Sequence, residues 1–349
     1  MKILVTGGAG YIGSHTVVEL LKAGYEVVVF DNLVYGHKEA VSCPLIIGDL
    51  LNKEKIEQVF KENKFDGVIH FAAYALVGES MKDPAKYFEN NLQGGLNLLE
   101  AMKAHGVNKI VFSSSCAIYG FPEKLPIVEE ENLPAGRQGK KPVSVYGESK
   151  LMFETILAWY DRLFGIKNVC LRYFNAAGAS LDGSIGEDHT PEAHIIPIAM
   201  QVALARLDSR LARQGQREKF TIFGNDYQTP DGTNVRDYIH VLDLATAHIK
   251  ALEYLQEKNQ SDYFNMGTGQ GYSVKEIITM IKKVTGVDFP VEIGPRREGD
   301  PDAVYADNSK IKKVLGWEPK YSDLQTIIGT AWNWHQSQPQ GFSLHTRRV

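Results

Sequence analysis

KILVTGGAGYIG, running from Lys2 to Gly13, decides the fold. Lys2 to Thr6 is a short β-rich run, and Gly7, Gly10 and Gly13 follow it at three-residue spacing. From Ser14 to Ala23 the apolar residues Val17, Val18, Leu20 and Leu21 share one helical face, with Gly24 placed to cap the C-terminus. A second β-rich run, Glu26 to Phe30, delivers Asp31. Strand, glycine turn, helix, strand and acid in this order predict a βαβ unit that binds a dinucleotide. Glycines let the backbone approach a pyrophosphate, and the helix N-terminus offers N–H groups and a partial positive charge. An acid at position 31 suits a ribose 2′-hydroxyl and repels a 2′-phosphate, which favours NAD over NADP.

Outward from this unit, β runs at 44 to 47, 67 to 71, 109 to 112 and 168 to 171 alternate with helical stretches near 53 to 62, 84 to 105 and 147 to 164. That alternation predicts an α/β fold, a Rossmann-like doubly wound parallel sheet over residues 1–175. Ligands of such sheets sit outside the carboxyl ends of the strands. Small and polar residues occupy those ends: Asp49, Phe71-Ala72-Ala73, Ser113-Ser114-Ser115 and Tyr173-Phe174-Asn175. Beyond residue 176 the pattern loosens into Gly-, Pro-, Asp- and His-rich loops with helices expected at 195 to 206, 243 to 256 and 273 to 285. Residues 176–349 therefore read as a smaller C-terminal α/β substrate domain, with segments crossing back to the first. Arg236, Arg296 and Arg297 are candidate anion clamps, because guanidinium forks match phosphate oxygens.

Composition narrows the class. The chain has 349 residues, 44% hydrophobic content and a formal charge of −4, with no basic excess to suggest nucleic acid. Its apolar runs stay short of the roughly 18 residues of a membrane span, and its start enters a strand at once, so neither membrane nor signal peptide is expected. Cys43, Cys116 and Cys170 are few, odd in number and without metal-ligand spacing, which predicts a reducing cytoplasm and no metal.

Tyr146-Gly-Glu-Ser-Lys150 adds chemistry. On one helix the i, i+4 spacing places both side chains on one face, where an ammonium favours phenolate over phenol. A tyrosine with an ordinary pKa of about 10 then becomes a usable base near neutrality. His70 and His240, within β-rich runs, are expected to be structural, Cys116 a small packed residue, and Trp332 and Trp334 to serve packing or the C-terminal surface. Ala135 to Lys140 resembles Ala212 to Gln216; both read as loop insertions without assigned function.

TGGAGYIG, the serine triplet before YGESK, and RYFNAAGA resemble the extended short-chain dehydrogenase/reductase family. GEDH at 186 to 189, FGNDY at 223 to 227, DGTNVRDYIHVLDLA at 231 to 245 and RREGDP at 296 to 301 resemble its branch that inverts UDP-glucose at C4. The resemblance implies NAD-dependent interconversion of UDP-glucose and UDP-galactose through a transient 4-keto-sugar. It implies that Tyr146 takes the proton of the sugar 4-hydroxyl, that Lys150 binds the nicotinamide ribose, and that Ser115 hydrogen-bonds the 4-oxygen. Besides Gly7, Gly10 and Gly13, it assigns Tyr11, Ile12, Asp31, Asn32, Asp49, Leu50, Phe71, Ala72, Ala73, Asn90 and Phe174 to the cofactor. Asn175, Arg236 and Arg297 fall near the diphosphate, Phe223 near uracil, Asp300 at the uridine ribose, and His194, Tyr238 and Val304 elsewhere in the substrate site. A homodimer through the helices near 84 to 105 and 147 to 164 is likewise implied.

Three positions depart from the pattern. Ala75 stands where the family often has a cofactor-contacting lysine, His194 where some members have asparagine, and Val304 where others have tyrosine or a small residue. Room beside Val304 suggests that UDP-N-acetylglucosamine is also accepted. A 4,6-dehydratase, the nearest alternative, needs an acid and a base beside the serine, and Cys116-Ala117-Ile118 supplies neither. A decarboxylase and a catalytically silent NAD-binding protein remain the other readings, against which the RREGD match and the joint presence of Ser115, Tyr146 and Lys150 weigh.

Overall fold

The β-rich runs of the N-terminal half are strands in the computed structural model, which describes residues 1–129, 141–208, 210–211, 217–297 and 299–344. The two similar Arg-Gln-Gly segments, Ala135 to Lys140 and Ala212 to Gln216, lie outside the described residues. The strands are β1 (Lys2–Thr6), β2 (Glu26–Asp31), β3 (Leu45–Ile47), β4 (Gly67–His70), β5 (Lys109–Ser115) and β6 (Lys167–Tyr173). With a seventh strand, Asp262–Met266, they form one sheet in the order Asp262–Met266, β6, β5, β4, β1, β2, β3. All its pairings are parallel. Ile3, Leu4, Val5, Val68, Ile69, Ile110 and Val111 are fully buried, as expected where helices cover both faces. The strand order reverses between β1 and β4, and at such a switch point connections diverge and leave a crevice at the carboxyl ends.

The seventh strand escapes a reading by apolar runs because it carries a buried amide. Asn265 is fully buried, with its Nδ2 donating to the Ile127 carbonyl at 2.8 Å and its Oδ1 accepting from the Tyr119 hydroxyl at 2.6 Å. Its partners lie 146 and 138 residues away in sequence, so no local pattern announces them. A second buried polar group sits beside it. Arg172, fully buried, donates to both oxygens of Glu154, at 3.0 and 2.6 Å, and to the Tyr119 hydroxyl at 3.0 Å.

The first helix spans Tyr11–Lys22, beginning three residues earlier than the apolar stripe suggests and so reaching into the glycine turn; it ends before Gly24, whose φ is +83°. Lys53–Glu62 and Val145–Phe164 match their expected helices closely. The stretch near 84 to 105 is instead two helices, Pro84–Phe88 and Gly94–Ala104, joined by a π-helical turn at Glu89–Gln93. Asn91 accounts for that turn: its amide accepts from the Tyr74 N–H at 2.9 Å and donates to the Ser149 hydroxyl at 3.0 Å.

The chain divides into two units. The first takes Met1–Tyr173 with Leu244–Met266 and Asp307–Glu318; the second takes Phe174–Asp243, Gly267–Ala306 and the segment from Pro319 onward. In the second, helices Ile195–Leu207, Val274–Thr285 and Leu324–Ser337 bury Ala199, Val202, Ile277, Ile281, Ile327 and Ile328 in a common core. Short paired strands surround it: Phe220–Phe223 with Val291–Gly294, Asn175–Ala177 with Tyr238–His240, and Val235–Arg236 between Tyr272–Ser273 and Ala303–Val304. Among the described residues no helix is long and apolar enough to cross a membrane.

Candidate active site

The glycines of the first turn are there for space. Gly7 has φ +72°, and a Cβ on it would lie 2.5 Å from the Ala72 nitrogen; one on Gly13 would lie 2.3 Å from the Gly7 carbonyl oxygen. Backbone from β1, from the segment after β4 and from the helix start therefore meets at the switch point. Gly10 is the N-cap of the Tyr11–Lys22 helix, and its first turn, with Tyr11 and Ile12, carries no acidic side chain to compete for the N-terminal dipole. At the end of β2, Asp31 accepts from the Ala9 N–H at 2.9 Å and the Leu33 N–H at 2.8 Å. Burial raises its pKa and those two bonds work against the rise. A cradle that a Cβ would fill, a helix N-terminus without acids and a carboxylate at the second strand end fit a dinucleotide with a free ribose 2′-hydroxyl.

Other expected cofactor residues stand around this turn. Phe71 and Ala72 donate their N–H groups to the Thr6 carbonyl at 2.8 and 3.1 Å, holding the segment that continues to Ala73. Asn32 Nδ2 donates to Asp49 at 2.9 Å, tying the β2 and β3 ends together. Leu50 is buried, and its carbonyl accepts from Asn97 at 2.8 Å. Asn90 donates to the Asn91 amide in the π turn at 2.9 Å. Phe174, also buried, follows β6 directly as the first residue of the second unit.

Tyr146, Lys150 and Ser115 come together in the first unit. The Val145–Phe164 helix starts at Ser144, whose hydroxyl accepts from the Gly147 N–H at 3.1 Å, and this cap sets Tyr146 in the first turn. One turn on, Lys150 is buried with its Nζ 5.8 Å from the Tyr146 ring centroid. Its Nζ donates to the Ser113 carbonyl at 2.6 Å. Ser115, the last residue of β5, accepts from the Ala117 N–H at 3.1 Å and lies close enough to Tyr146 to favour its phenolate.

The protonation balance differs from the expectation that the lysine alone makes Tyr146 a base. Burial pushes the phenol up to about 12, with the neighbouring Ser115 hydroxyl opposing, while burial brings Lys150 down to about 7 against the pull of Glu154. Desolvation disfavours the charged form of each, so in the protein alone the proton stays on Tyr146. The histidines behave as expected. His70 Nδ1 pairs with the Thr6 hydroxyl at 2.7 Å and burial lowers its pKa to about 3; His240 bonds Thr330 at 3.0 Å and accepts the Leu242 N–H at 3.1 Å.

The second unit holds a cavity of about 220 Å³ whose walls include Asn175, His194, Phe223, Arg236, Tyr238, Arg297 and Asp300, seven of the eight expected substrate residues in that unit. Val304 is instead buried in its short strand, paired in register with Arg236. Arg236 is ion-paired with Asp300, which also accepts from Asn234 Nδ2 at 2.8 Å, so its charge is partly compensated. Arg297 stacks 4.2 Å from the Phe223 ring centroid, leaving its edge for an anion. Arg296 turns elsewhere, onto Asp302 at 2.8 Å and over the Tyr227 ring. Arg217, Asn234 and Glu187 line the cavity without a sequence signal that singles them out, although Glu187 belongs to the GEDH run at 186 to 189. Glu187 accepts from His194 Nδ1 at 2.6 Å, which holds His194 well above the ordinary histidine range and Glu187 below the usual carboxylate range.

A doubly wound sheet with this cradle defines a class, and the comparisons agree. The model of the NAD dependent epimerase/dehydratase family matches residues 3–267, and the chain belongs to that family. A UDP-glucose 4-epimerase of Streptococcus mutans is 53% identical over 346 residues, covering 98% of this chain and 99% of its own length. The structure of the Bifidobacterium longum UDP-glucose 4-epimerase in complex with NAD+ and UDP aligns with a TM-score of 0.88 at 39% identity, covering 98% of this chain and 100% of that one. The UDP-Glc/GlcNAc 4-epimerase of Campylobacter jejuni aligns with a TM-score of 0.80 at 43% identity, covering 96% and 99%. The likeness to UDP-glucose 4-epimerases thus spans nearly the whole chain, which is an NAD-dependent epimerase of that branch.

Proposed function

We propose that this enzyme interconverts UDP-glucose and UDP-galactose by removing and restoring the C4 hydrogen through a 4-keto-sugar, with Tyr146 as the proton acceptor and donor. The observation that carries this reading is the grouping of Tyr146 with the buried Lys150, whose Nζ lies one helical turn on at 5.8 Å from the phenol ring centroid and is anchored on the Ser113 carbonyl at 2.6 Å, at the end of the strand that ends in Ser115. NAD, held by the Gly7, Gly10 and Gly13 turn, Asp31 and Lys150, would supply the hydride acceptor and donor for C4 and a positive charge that favours phenolate. Tyr146 takes the 4-hydroxyl proton and gives it back. Ser115 bonds the 4-oxygen and relays the proton, while Lys150, anchored on Ser113, binds the nicotinamide ribose. Gly7, Gly10 and Gly13 with the Tyr11–Lys22 helix take the pyrophosphate, and Asp31 the adenosine ribose.

The UDP moiety occupies the cavity of the second unit, the diphosphate against Asn175, Arg236 and Arg297, uracil by Phe223, and the uridine ribose by Asp300. His194 adds a donor where some relatives have asparagine. Incubation with UDP-galactose and a coupled assay for UDP-glucose tests the reading; bound NAD without interconversion would leave a silent binding protein.

UDP-N-acetylglucosamine is a second substrate on this account, supported by the likeness to the Campylobacter jejuni enzyme. No turnover of it alongside good turnover of UDP-glucose would refute that. The enzyme works as a cytoplasmic homodimer that uses the Val145–Phe164 helix, on which Met152, Trp159 and Leu163 are 40%, 52% and 62% exposed. Sedimentation as a monomer at micromolar concentration would contradict the dimer.

A further inference from the structure

Glu187, His189, Glu192 and His194 fall within eight residues, and each presents one ligand-type atom within 4.8 Å of the other three. We propose that these four side chains form a binding site for a divalent first-row transition cation such as Zn2+. Cysteine spacing carries no trace of this set, which is built of imidazole and carboxylate.

The distances suit a four-coordinate ion. His194 Nδ1 lies 2.6 Å from Glu187 Oε1 and 3.4 Å from Glu192 Oε1; His189 Nδ1 lies 3.3 Å from Glu187 Oε1 and 3.8 Å from Glu192 Oε2. Bonds of about 2.0–2.1 Å around a tetrahedral ion separate neighbouring ligands by roughly 3.3 Å, so the contacts above need shifts of up to about 0.7 Å and the widest pairs, within 4.8 Å, up to about 1.5 Å, within reach of side-chain rotation. Two carboxylates balance the charge of a divalent ion. They also outweigh the positive end of the Ile195–Leu207 helix, whose N-cap is His194. Two imidazoles select Zn2+ and its neighbours over Mg2+ or Ca2+, which prefer oxygen shells.

The surroundings hold the ligands in place. Glu192 Oε1 accepts from the Ala193 and His194 N–H groups, both at 2.8 Å, which orients its carboxylate. The Glu187 carbonyl accepts from Trp334 Nε1 at 3.2 Å, and the buried Trp334 ring packs so closely on Gly186 that a Cβ there would lie 2.2 Å from it. Asp188, between the two ligand residues, turns away and accepts from the Phe342 N–H at 2.8 Å. The carboxylates of Glu187 and Glu192 are 5% and 7% exposed, and His194 at 53% leaves a route for the ion to enter. Such outer contacts fix ligand geometry at metal sites.

One consequence rests on reading the adjoining cavity as the UDP-sugar site. With the ion on Nδ1, the proton of His194 resides on Nε2, which makes the residue a neutral donor of fixed tautomer on the cavity wall. Metal would then alter KM for the nucleotide sugar more than kcat.

Chelator-treated enzyme with its bound NAD, free of UDP, is titrated with Zn2+ by calorimetry and with Co2+ by visible absorption. One ion per chain is expected, with a four-coordinate Co2+ spectrum. His189→Ala and Glu192→Gln should each weaken binding by about 100-fold or more. Absence of binding to the unmodified enzyme, or affinity unchanged in both variants, would overturn the site. Where a variant does not fold, X-ray absorption of the Zn2+-loaded unmodified protein decides: imidazole scattering supports the assignment and its absence refutes it. The titration reads the cation alone, so its failure leaves the cavity's reading untouched.

Discussion

Replacing Ser115 with alanine isolates the contact that opposes burial at Tyr146. Burial raises the phenol to about 12, and the Ser115 hydroxyl is the group that pulls it back. A hydrogen bond to a charged acceptor contributes about 1.5–3 kcal/mol. Each pKa unit corresponds to about 1.4 kcal/mol, so the Tyr146 pKa in Ser115→Ala rises by about one to two units. Loss of a bond to the phenolate favours the phenol, so the variant is slower at pH 7 and recovers as pH increases. Interconversion of UDP-galactose should fall by roughly 10- to 100-fold at neutral pH, with the acid limb of the rate profile moved upward by one to two units. The substitution also removes the acceptor for the Ala117 N–H, now at 3.1 Å, a local cost of about 1 kcal/mol that thermal melting would register separately. Activity within twofold of the unmodified enzyme, with an unshifted profile, would refute the role given to Ser115.

Two further outcomes follow from the surroundings. Asp31→Ala removes the carboxylate that selects against a 2′-phosphate, so affinity for NAD should fall and that for NADP rise relative to it in a fluorescence titration; unchanged preference would remove Asp31 from the ribose. Arg172→Leu strands the buried Glu154 carboxylate, now bound at 2.6 Å, and should cost about 3–5 kcal/mol in urea unfolding; a loss below 1 kcal/mol would contradict a paired interior.

Much of the first unit was legible because its signals are local. Val27, Val28 and Val29 need burial on both faces, and glycines at three-residue spacing need a turn where backbones touch. What the sequence concealed depends on distant partners. Asp262–Met266 carries an amide that a buried strand tolerates only once Tyr119 and Ile127 satisfy Asn265, and the helix near 84 to 105 looks continuous until Asn91 reaches back to Tyr74. The Tyr146–Lys150 spacing was readable, but its protonation balance was not, since desolvation depends on the whole packed environment rather than on a four-residue interval. In the second unit the expected arginines separate by their neighbours: Arg236 and Arg297 line the cavity, while Asp302 takes Arg296. Residue type alone does not distinguish Arg296 from Arg297; the family resemblance did, by assigning only Arg297 to the diphosphate.

Tyr146→Phe tests the central claim most directly, because it removes one hydroxyl and leaves the ring in place. Measured with UDP-galactose on protein whose bound NAD and melting temperature have been checked, epimerisation should fall by about 10²- to 10⁴-fold or more with both of those unchanged. Retention of most activity by a folded, NAD-bound variant would show that another group carries the proton.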